Sequence, residues 1–571
     1  MTLHPVSTLT RAAAAAALCA GLALAAPASA HAHGSKTAPG VDIATTDPRF
    51  GIDEAYTKPD QADALGARWS RIPFIWNIVQ KDGPASWNNF ALGSTGSAAV
   101  VKAELARNRS VVGLLLGTPS WARQQMIKGS GRDWGQASAP DNIAKPWAVP
   151  GADAASWTGP DVNYWGNYAY KIAKQFNGDN NGPEIDDWVI WNEVSIPPGQ
   201  WVQWHGSVDQ YVQVVKTAYT AIHAANPRAK IILYGDPYWY DHSDYLRQLY
   251  NKLAAADPGN AHNGYFDVAN LHLYSNPTDF FPIIRTVKRL LRAHGWSNKQ
   301  VWVSETNAEP NDATQAETGA AGAKLAQLRT MDFRTTMQGQ SGFLVDAFAS
   351  YIAAGANRIE LYRMFDGAET AAGLPAWGLV NNQNQLRPVA HTFRFLIDLF
   401  KDPTIVNPDT DKGEYTGSYT AGDLVPDATD GLNKAGVFKV ALTRKDGGHI
   451  TVLWNQTGQV TDPIAKKLLT LPVTTPGGTH YAADGTATYH LKAHRDSAIV
   501  YDKCGAAKTI AAKGGYYTFT LQPGVDFTNQ FDRRVPTVGG DPVIVTEGIA
   551  PIAQNNIETT PACSAAPIVA N

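Results

Sequence analysis

Cysteine is scarce in this chain: three in 571 residues, at positions 19, 504 and 563. Two cysteines as far apart as Cys504 and Cys563 do not suggest a metal site, whose ligands come in close pairs. Lys and Arg form no stripe and the formal net charge is only −3, so nucleic acid is not an expected partner. No long apolar segment follows residue 30, so membrane insertion is not expected. There is no repeat of the period that solenoids and propellers require. A glycine-rich phosphate loop is missing after the first β-rich run, Phe50-Gly51-Ile52-Asp53-Glu54, which speaks against a doubly wound dinucleotide fold. No β-rich run ends in Lys, so aldolase-type Schiff-base chemistry lacks its amine.

Aromatic residues are abundant instead, with 17 Trp and 22 Tyr. Ten of the Trp fall between residues 121 and 239. Sugars stack their apolar C–H faces on electron-rich rings. Any single Trp is as readily a core residue, but several together are expected to line a sugar cleft. Trp134, Trp147 and Trp157 lie in a Gly/Pro-rich insertion, 124–160, and a stretch of that length is usually functional.

The N-terminus reads as an export signal: Arg11, an apolar stretch from Ala12 to Ala26, then the small-x-small pattern Ala28-Ser29-Ala30. Cleavage after Ala30 is expected, giving a secreted or periplasmic protein. Cys19 would leave with the signal, so Cys504 and Cys563 are expected to form one disulfide. It would close a loop of 563 − 504 = 59 positions, worth about 4 kcal/mol in the chain-entropy model. Two unpaired buried thiols are the alternative.

Eight apolar β-rich runs lie between residues 50 and 365: Phe50–Glu54, Trp69–Trp76, Val111–Gly117, Trp188–Glu193, Ile231–Asp236, Phe266–Tyr274, Val301–Glu305 and Arg358–Phe365. Helical patterns fill several gaps, from about Tyr164 to Phe176, Val208 to Ala225, Ile283 to His294 and Phe343 to Ala354. Alternating strand and helix implies parallel strands with right-handed crossovers, and eight such units predict an α/β fold of the (β/α)8 TIM barrel type. From about residue 403 short alternating runs take over, such as Val437–Leu442 and Ile450–Trp454 around the turn Lys445-Asp446-Gly447-Gly448. These predict a C-terminal antiparallel β-sandwich, packed on the barrel because no Ser-, Thr- or Pro-rich linker intervenes. The expected division is 1–30 signal, 31–49 N-terminal segment, 50–402 barrel and 403–571 sandwich.

In such a barrel the site lies at the carboxyl ends of the strands. Two strand-end carboxylates stand out, Glu193 after the fourth run and Glu305 after the seventh. A lone strand-end Glu is most often a cap or an ion-pair residue. Two of them, on strands facing each other across the mouth, match what retaining glycoside hydrolysis needs: a nucleophile and a general acid about 5–5.5 Å apart. Arg71 beside Glu305 would keep that carboxylate ionised. Trp76, which ends the second run, and Trp121, which follows the third, are expected to contact the substrate. Asn192 is either a helix N-cap or a substrate contact, and His272 and Tyr274 are either a satisfied core pair or supports for the site.

Val189-Ile190-Trp191-Asn192-Glu193 resembles the Asn-Glu signature of clan A glycoside hydrolases, and Trp302-Val303-Ser304-Glu305-Thr306-Asn307 resembles the nucleophile motif of that clan. Arg71, the segment Gly117-Thr118-Pro119-Ser120-Trp121-Ala122, and Leu271-His272-Leu273-Tyr274 are similar to further clan segments. The resemblance covers roughly residues 50–400. The β-rich remainder resembles the accessory sandwich of family 39, and family 5 is a more distant likeness. It implies Glu193 as acid/base, Glu305 as nucleophile and Asn192 on the substrate 2-hydroxyl, with no metal or organic cofactor. Many clan members end strand eight in Trp. Here Leu361-Tyr362-Arg363-Met364-Phe365 stands instead, leaving Tyr362 or Trp377 as the sugar platform. The resulting expectation is a retaining glycosidase acting on a β-linked oligo- or polysaccharide. The rival is a non-catalytic carbohydrate-binding protein using the same aromatic cleft.

Overall fold

The computed structural model describes residues 41–88, 97–123, 137–152, 157–196, 203–238, 243–274, 277–328, 334–405, 408, 416–420, 437–456, 458–461, 468–471, 486–524 and 539–570. The expected export signal, with Cys19, lies outside these residues. Among the described residues, no helix is long and apolar enough to cross a membrane.

Eight strands build the first unit: β1 (Phe50–Ile52), β2 (Trp69–Ile75), β3 (Ser110–Leu116), β4 (Asp187–Ile190), β5 (Lys230–Asp236), β6 (Val268–Leu273), β7 (Gln300–Thr306) and β8 (Arg358–Leu361). All are parallel and follow one another in sequence order, with β8 paired to β1. The seam between β1 and β2 is bridged by the Arg68 N–H, which donates to the Phe50 carbonyl at 2.9 Å. The (β/α)8 barrel expected from the sequence is therefore the fold. Its interior is filled by Trp69, Val112, Leu114, Val189, Ile232, Val268 and Trp302. Side chains alternate along a strand, so Trp69 in this floor places Arg71 on the same inward face, one layer nearer the mouth.

Helix Val208–Ala225 has the predicted limits, fixed by a capping box between Ser207 and Gln210. Two other helices begin earlier than the sequence pattern predicts. One runs Pro277–Ala293 straight through Pro282. The other, Met337–Ala354, is capped by Thr336, which accepts from the Gly339 N–H. Proline and glycine near their starts masked both.

Two irregularities shape the mouth. Between β6 and β7 the register moves from Leu271↔Val303 to His272↔Glu305, so Ser304 is an extra residue. Between β5 and β6 it moves from Ile232↔Val268 to Gly235↔Asn270, an extra residue on β5. A bulge of this kind re-aims the side chains beside it. Trp302 already points inward, so strict alternation would turn Glu305 away; the bulge brings both Ser304 and Glu305 into the barrel.

The C-terminal region forms a six-stranded antiparallel sheet ordered Thr416–Thr420, Val437–Thr443, His449–Asn455, Val543–Glu547, Ser497–Tyr501, Ala507–Ala511. A three-stranded sheet of Ala487–Lys492, Tyr516–Leu521 and Val569–Ala570 accompanies it. Val437, Leu453, Val543 and Val545 pack with the smaller sheet's Tyr489, Tyr517 and Phe519. The alternate residues Phe438, Val440, Leu442, Ile450, Val452, Trp454 and Ile544 belong instead to the core shared with the barrel. Helix Met337–Ala354 lies between, buried along nearly its whole length, with Ala353 against Gly417 and Gly342 against Pro542. Cys504 and Cys563 form the expected disulfide.

Candidate active site

The chain leaves β4 through two residues in left-handed conformations, Trp191 (φ 70°) and Glu193 (φ 43°). Such non-glycine strain costs about 1–3 kcal/mol per residue and persists only where surroundings impose it. Here the Trp191 N–H donates to the Leu115 carbonyl at 2.8 Å. Its ring is wedged against Trp165 and Trp204, and its indole N–H reaches the Gln203 carbonyl at 2.7 Å. The Tyr211 hydroxyl donates to the Ile190 carbonyl at 2.7 Å. The turn lifts Glu193 over the barrel mouth.

Asn192 caps no helix, since the next long one starts at Val208 on Ser207. Its Oδ1 is buried and accepts no hydrogen bond among the described residues. The N-cap alternative is therefore excluded, and an acceptor stands open beside Glu193.

Glu305 is enclosed by donors. Arg71 Nη2 bonds its Oε1, and the Tyr274 hydroxyl donates to its Oε2 at 2.6 Å. The same guanidinium holds Asp53, with Nη2 at 2.9 Å from Oδ2. His272 links the two glutamates, its Nδ1 lying 2.9 Å from Glu193 Oε1 and 3.4 Å from Glu305 Oε2. On its far side Nε2 meets Arg71 Nη1 at 3.2 Å and Ser304 Oγ at 3.1 Å. A guanidinium can only donate, so Nε2 is the accepting nitrogen and the ring hydrogen on Nδ1 faces the carboxylates.

The two glutamates are biased in opposite directions. Burial raises the Glu193 pKa above the ordinary carboxyl value, against the His272 hydrogen bond, and the charge of Glu305 adds to the rise. Burial also pushes Glu305 upward, but His272, Arg71 and the Tyr274 hydrogen bond together outweigh it and hold its pKa below the ordinary value. One oxygen of each glutamate and the His272 nitrogen all lie within 4.8 Å of one another. That spacing would admit a metal ion, but the chemistry of the set does not suit one. Arg71 already flanks Glu305, and Nδ1 offers a hydrogen rather than a lone pair.

An aromatic wall borders Glu305. Trp377 packs on Tyr274 with ring centroids 5.1 Å apart and on Tyr362 at 6.5 Å, so both candidates for the platform are brought together. Trp76 is placed differently from expectation. The chain turns into a short helix, Trp76–Val79, and swings this ring, fully buried, against Tyr168, Trp165 and Trp121. It has no surface for a ligand. Trp121 is half-buried, its indole N–H on the Gln80 carbonyl at 2.6 Å. Within the insertion, Trp134 lies outside the described residues and Trp147 packs over Gly166 and beside Tyr170, on a barrel helix.

Sequence reasoning missed Asp53, Glu54, Arg363 and Asn307. Arg363 pairs with Glu54 at 3.3 Å and with Glu369. Glu54 is pushed up to about 7, mainly by burial and against the pull of Arg363. The signal was present: Asp53-Glu54 follow an apolar strand as Glu193 and Glu305 do.

No family model matches this chain, and no curated protein matches it. Among solved structures, a family 39 glycoside hydrolase from the gut symbiont Bacteroides cellulosilyticus WH2 shares the fold, with a TM-score of 0.50 at 12% identity over 88% of this chain and 81% of that one. Also similar are a monomeric β-xylosidase from Caulobacter crescentus CB15 (TM-score 0.47, 12% identity, 90% and 98% covered) and a family 30 endoxylanase from Clostridium papyrosolvens C71 (0.44, 12%, 88% and 97%).

Proposed function

We propose that this protein is a retaining glycoside hydrolase that cleaves β-glycosidic bonds in an oligo- or polysaccharide, with Glu305 as nucleophile and Glu193 as general acid/base. The observation that carries this reading is the pair of carboxyl groups, with an oxygen of each within 4.8 Å and opposite protonation biases. Retention needs about 5–5.5 Å between them, whereas inversion needs about 6.5–9.5 Å to admit a water. The family 39 fold likeness agrees with it.

Glu305, held ionised by Arg71 and Tyr274, attacks the anomeric carbon. The bond to the leaving oxygen breaks as Glu193 delivers its proton there, and a glycosyl ester of Glu305 forms. Glu193, now a carboxylate, takes a proton from water, whose oxygen displaces Glu305 with a second inversion. The open Asn192 Oδ1 accepts from a sugar hydroxyl. Trp377, Tyr362 and Tyr274 supply the stacking face. The reading includes export after Ala30, with the Cys504–Cys563 disulfide fitting an oxidising compartment, and a catalytic unit of 50–402 carrying an accessory unit of 403–571.

Proton NMR of the first product released from a panel of aryl β-glycosides and β-linked glycans tests it. The β anomer is expected first. An α anomer first would overturn retention. Glycan binding without hydrolysis would establish the non-catalytic rival.

A further inference from the structure

His272 makes four polar contacts, to Glu193, Glu305, Arg71 and Ser304. Those contacts fix what the ring touches and leave open why there is room for it. An imidazole inside a barrel competes for space with the inward positions of both neighbouring strands. The β5/β6 register slips before Gly235, and the β6/β7 register slips at His272. Both neighbours thus carry an extra residue relative to β6 at the level of this ring. The ring then lies directly on the Gly235 backbone. A Cβ built there would stand 1.8 Å from Nε2, 1.9 Å from Cδ2 and 2.3 Å from Cε1. These are not contacts that relax by a few tenths of an ångström, since the ring is rigid, fully buried and tethered at both nitrogens. Gly235 shows no left-handed φ, so its backbone makes no demand for glycine. Space for the ring does.

We infer that Gly235 is a positioning residue for catalysis: the side chain missing from β5 is the seat on which the His272 ring presents Nδ1 to Glu193 and Glu305. Any larger residue at 235 tips the ring away, and the two carboxylates lose the donor they share. The inference concerns the same site as the proposed glycosidase and rests on that reading for its kinetic consequences, though not for its structural one.

The test is a double-mutant cycle of Gly235→Ala and His272→Ala, read by pH–rate profiles and by the ring ¹⁵N resonances of His272. Gly235→Ala alone is expected to lose the wild-type ¹⁵N pattern and to lower kcat/KM by about 100-fold, the scale of a misplacement near 1 Å. The basic limb of its profile should move to higher pH, because Glu193 loses the hydrogen bond that favours its ionised form. In the His272→Ala background the same substitution is expected to change kcat/KM less than about twofold, there being no ring left to displace. An unaltered ¹⁵N pattern and profile in Gly235→Ala would overturn the inference. So would an equal loss with His272 already removed. If Gly235→Ala fails to fold, recovery of folded protein by adding His272→Ala supports the inference and no recovery overturns it. A wild-type protein inactive on every glycoside would refute the proposed function, while the ¹⁵N comparison would still decide the role of Gly235.

Discussion

The side-chain amide of Asn307 donates to the Trp377 carbonyl at 2.9 Å. Its second hydrogen goes to the Tyr362 carbonyl at 2.5 Å, and its own oxygen accepts from Gln340 Nε2 at 2.9 Å. Asn307 is fully buried two positions after Glu305, so one side chain ties the strand of the proposed nucleophile to both members of the proposed sugar platform. Asn307→Ala would leave those carbonyls without a donor, at about 1–3 kcal/mol for each buried unsatisfied group. The expected result is a lower melting temperature and a KM raised more than kcat is lowered. A variant whose kcat falls at unchanged KM would show that the platform does not depend on this residue.

Arg71 stands between two buried carboxylates, Asp53 and Glu305. Arg71→Met removes the cation and leaves both facing each other, a loss of about 3–5 kcal/mol for an uncompensated buried charge. Of the groups that hold the Glu305 pKa low, His272 and Tyr274 remain and the pull of Arg71 is lost. With Glu305 as the proposed nucleophile, the acid limb of the kcat/KM profile reports its ionisation and should therefore move to higher pH. A limb that stays in place would mean that Arg71 does not hold the nucleophile.

Glu193 carries the opposite cost. Its pKa is raised in the folded protein, so its contribution to stability is complete below the unfolded value and is lost as pH rises through the folded one. Glu193→Gln mimics the protonated form at every pH. The variant should melt no higher than wild type near pH 4 and progressively higher as pH rises to 7. Equal melting temperatures across that range would remove the ground for assigning Glu193 as the resting acid.

The six-stranded sheet buries one face on the barrel side through Phe438, Val440, Leu442, Ile450, Val452 and Trp454. Across the junction the His391 ring nitrogens lie 3.0 and 2.9 Å from the Cys504 and Ile557 carbonyl oxygens, which can only accept. The two units should unfold in one calorimetric transition, and limited proteolysis should release no folded C-terminal fragment. Recovery of an intact, independently folded fragment would show the sheet to be self-sufficient.

Much of this was legible in the sequence. The barrel strands are near-continuous apolar runs, as parallel strands buried on both faces are, and Glu193 and Glu305 end two of them. Trp76 also ends a strand, but whether a ring turns into the mouth or into the wall depends on how the chain leaves the sheet, here by the Trp76–Val79 helix. Trp147 reads as a loop aromatic until Gly166 on the neighbouring helix is seen to make room for its ring. The bulge at Ser304 and the slip before Gly235 leave no mark in a single strand's pattern, because register is a relation between two strands. The position of Asp53 after an apolar run was visible, but its pairing with Arg71 on the neighbouring strand was not, because that contact exists only once the barrel closes.

The assignment of roles is tested most directly by adding azide to two variants, with activated aryl glycosides as substrates, and reading product configuration by NMR. In Glu193→Ala the nucleophile remains, so an activated glycoside still forms the ester of Glu305. Azide then attacks it, giving a glycosyl azide of retained configuration and faster turnover. In Glu305→Gly no ester can form, and azide attacks the anomeric carbon directly to give the inverted azide. That pair of outcomes is the predicted result; the opposite pair would contradict the account, with Glu193 then the nucleophile and Glu305 the acid.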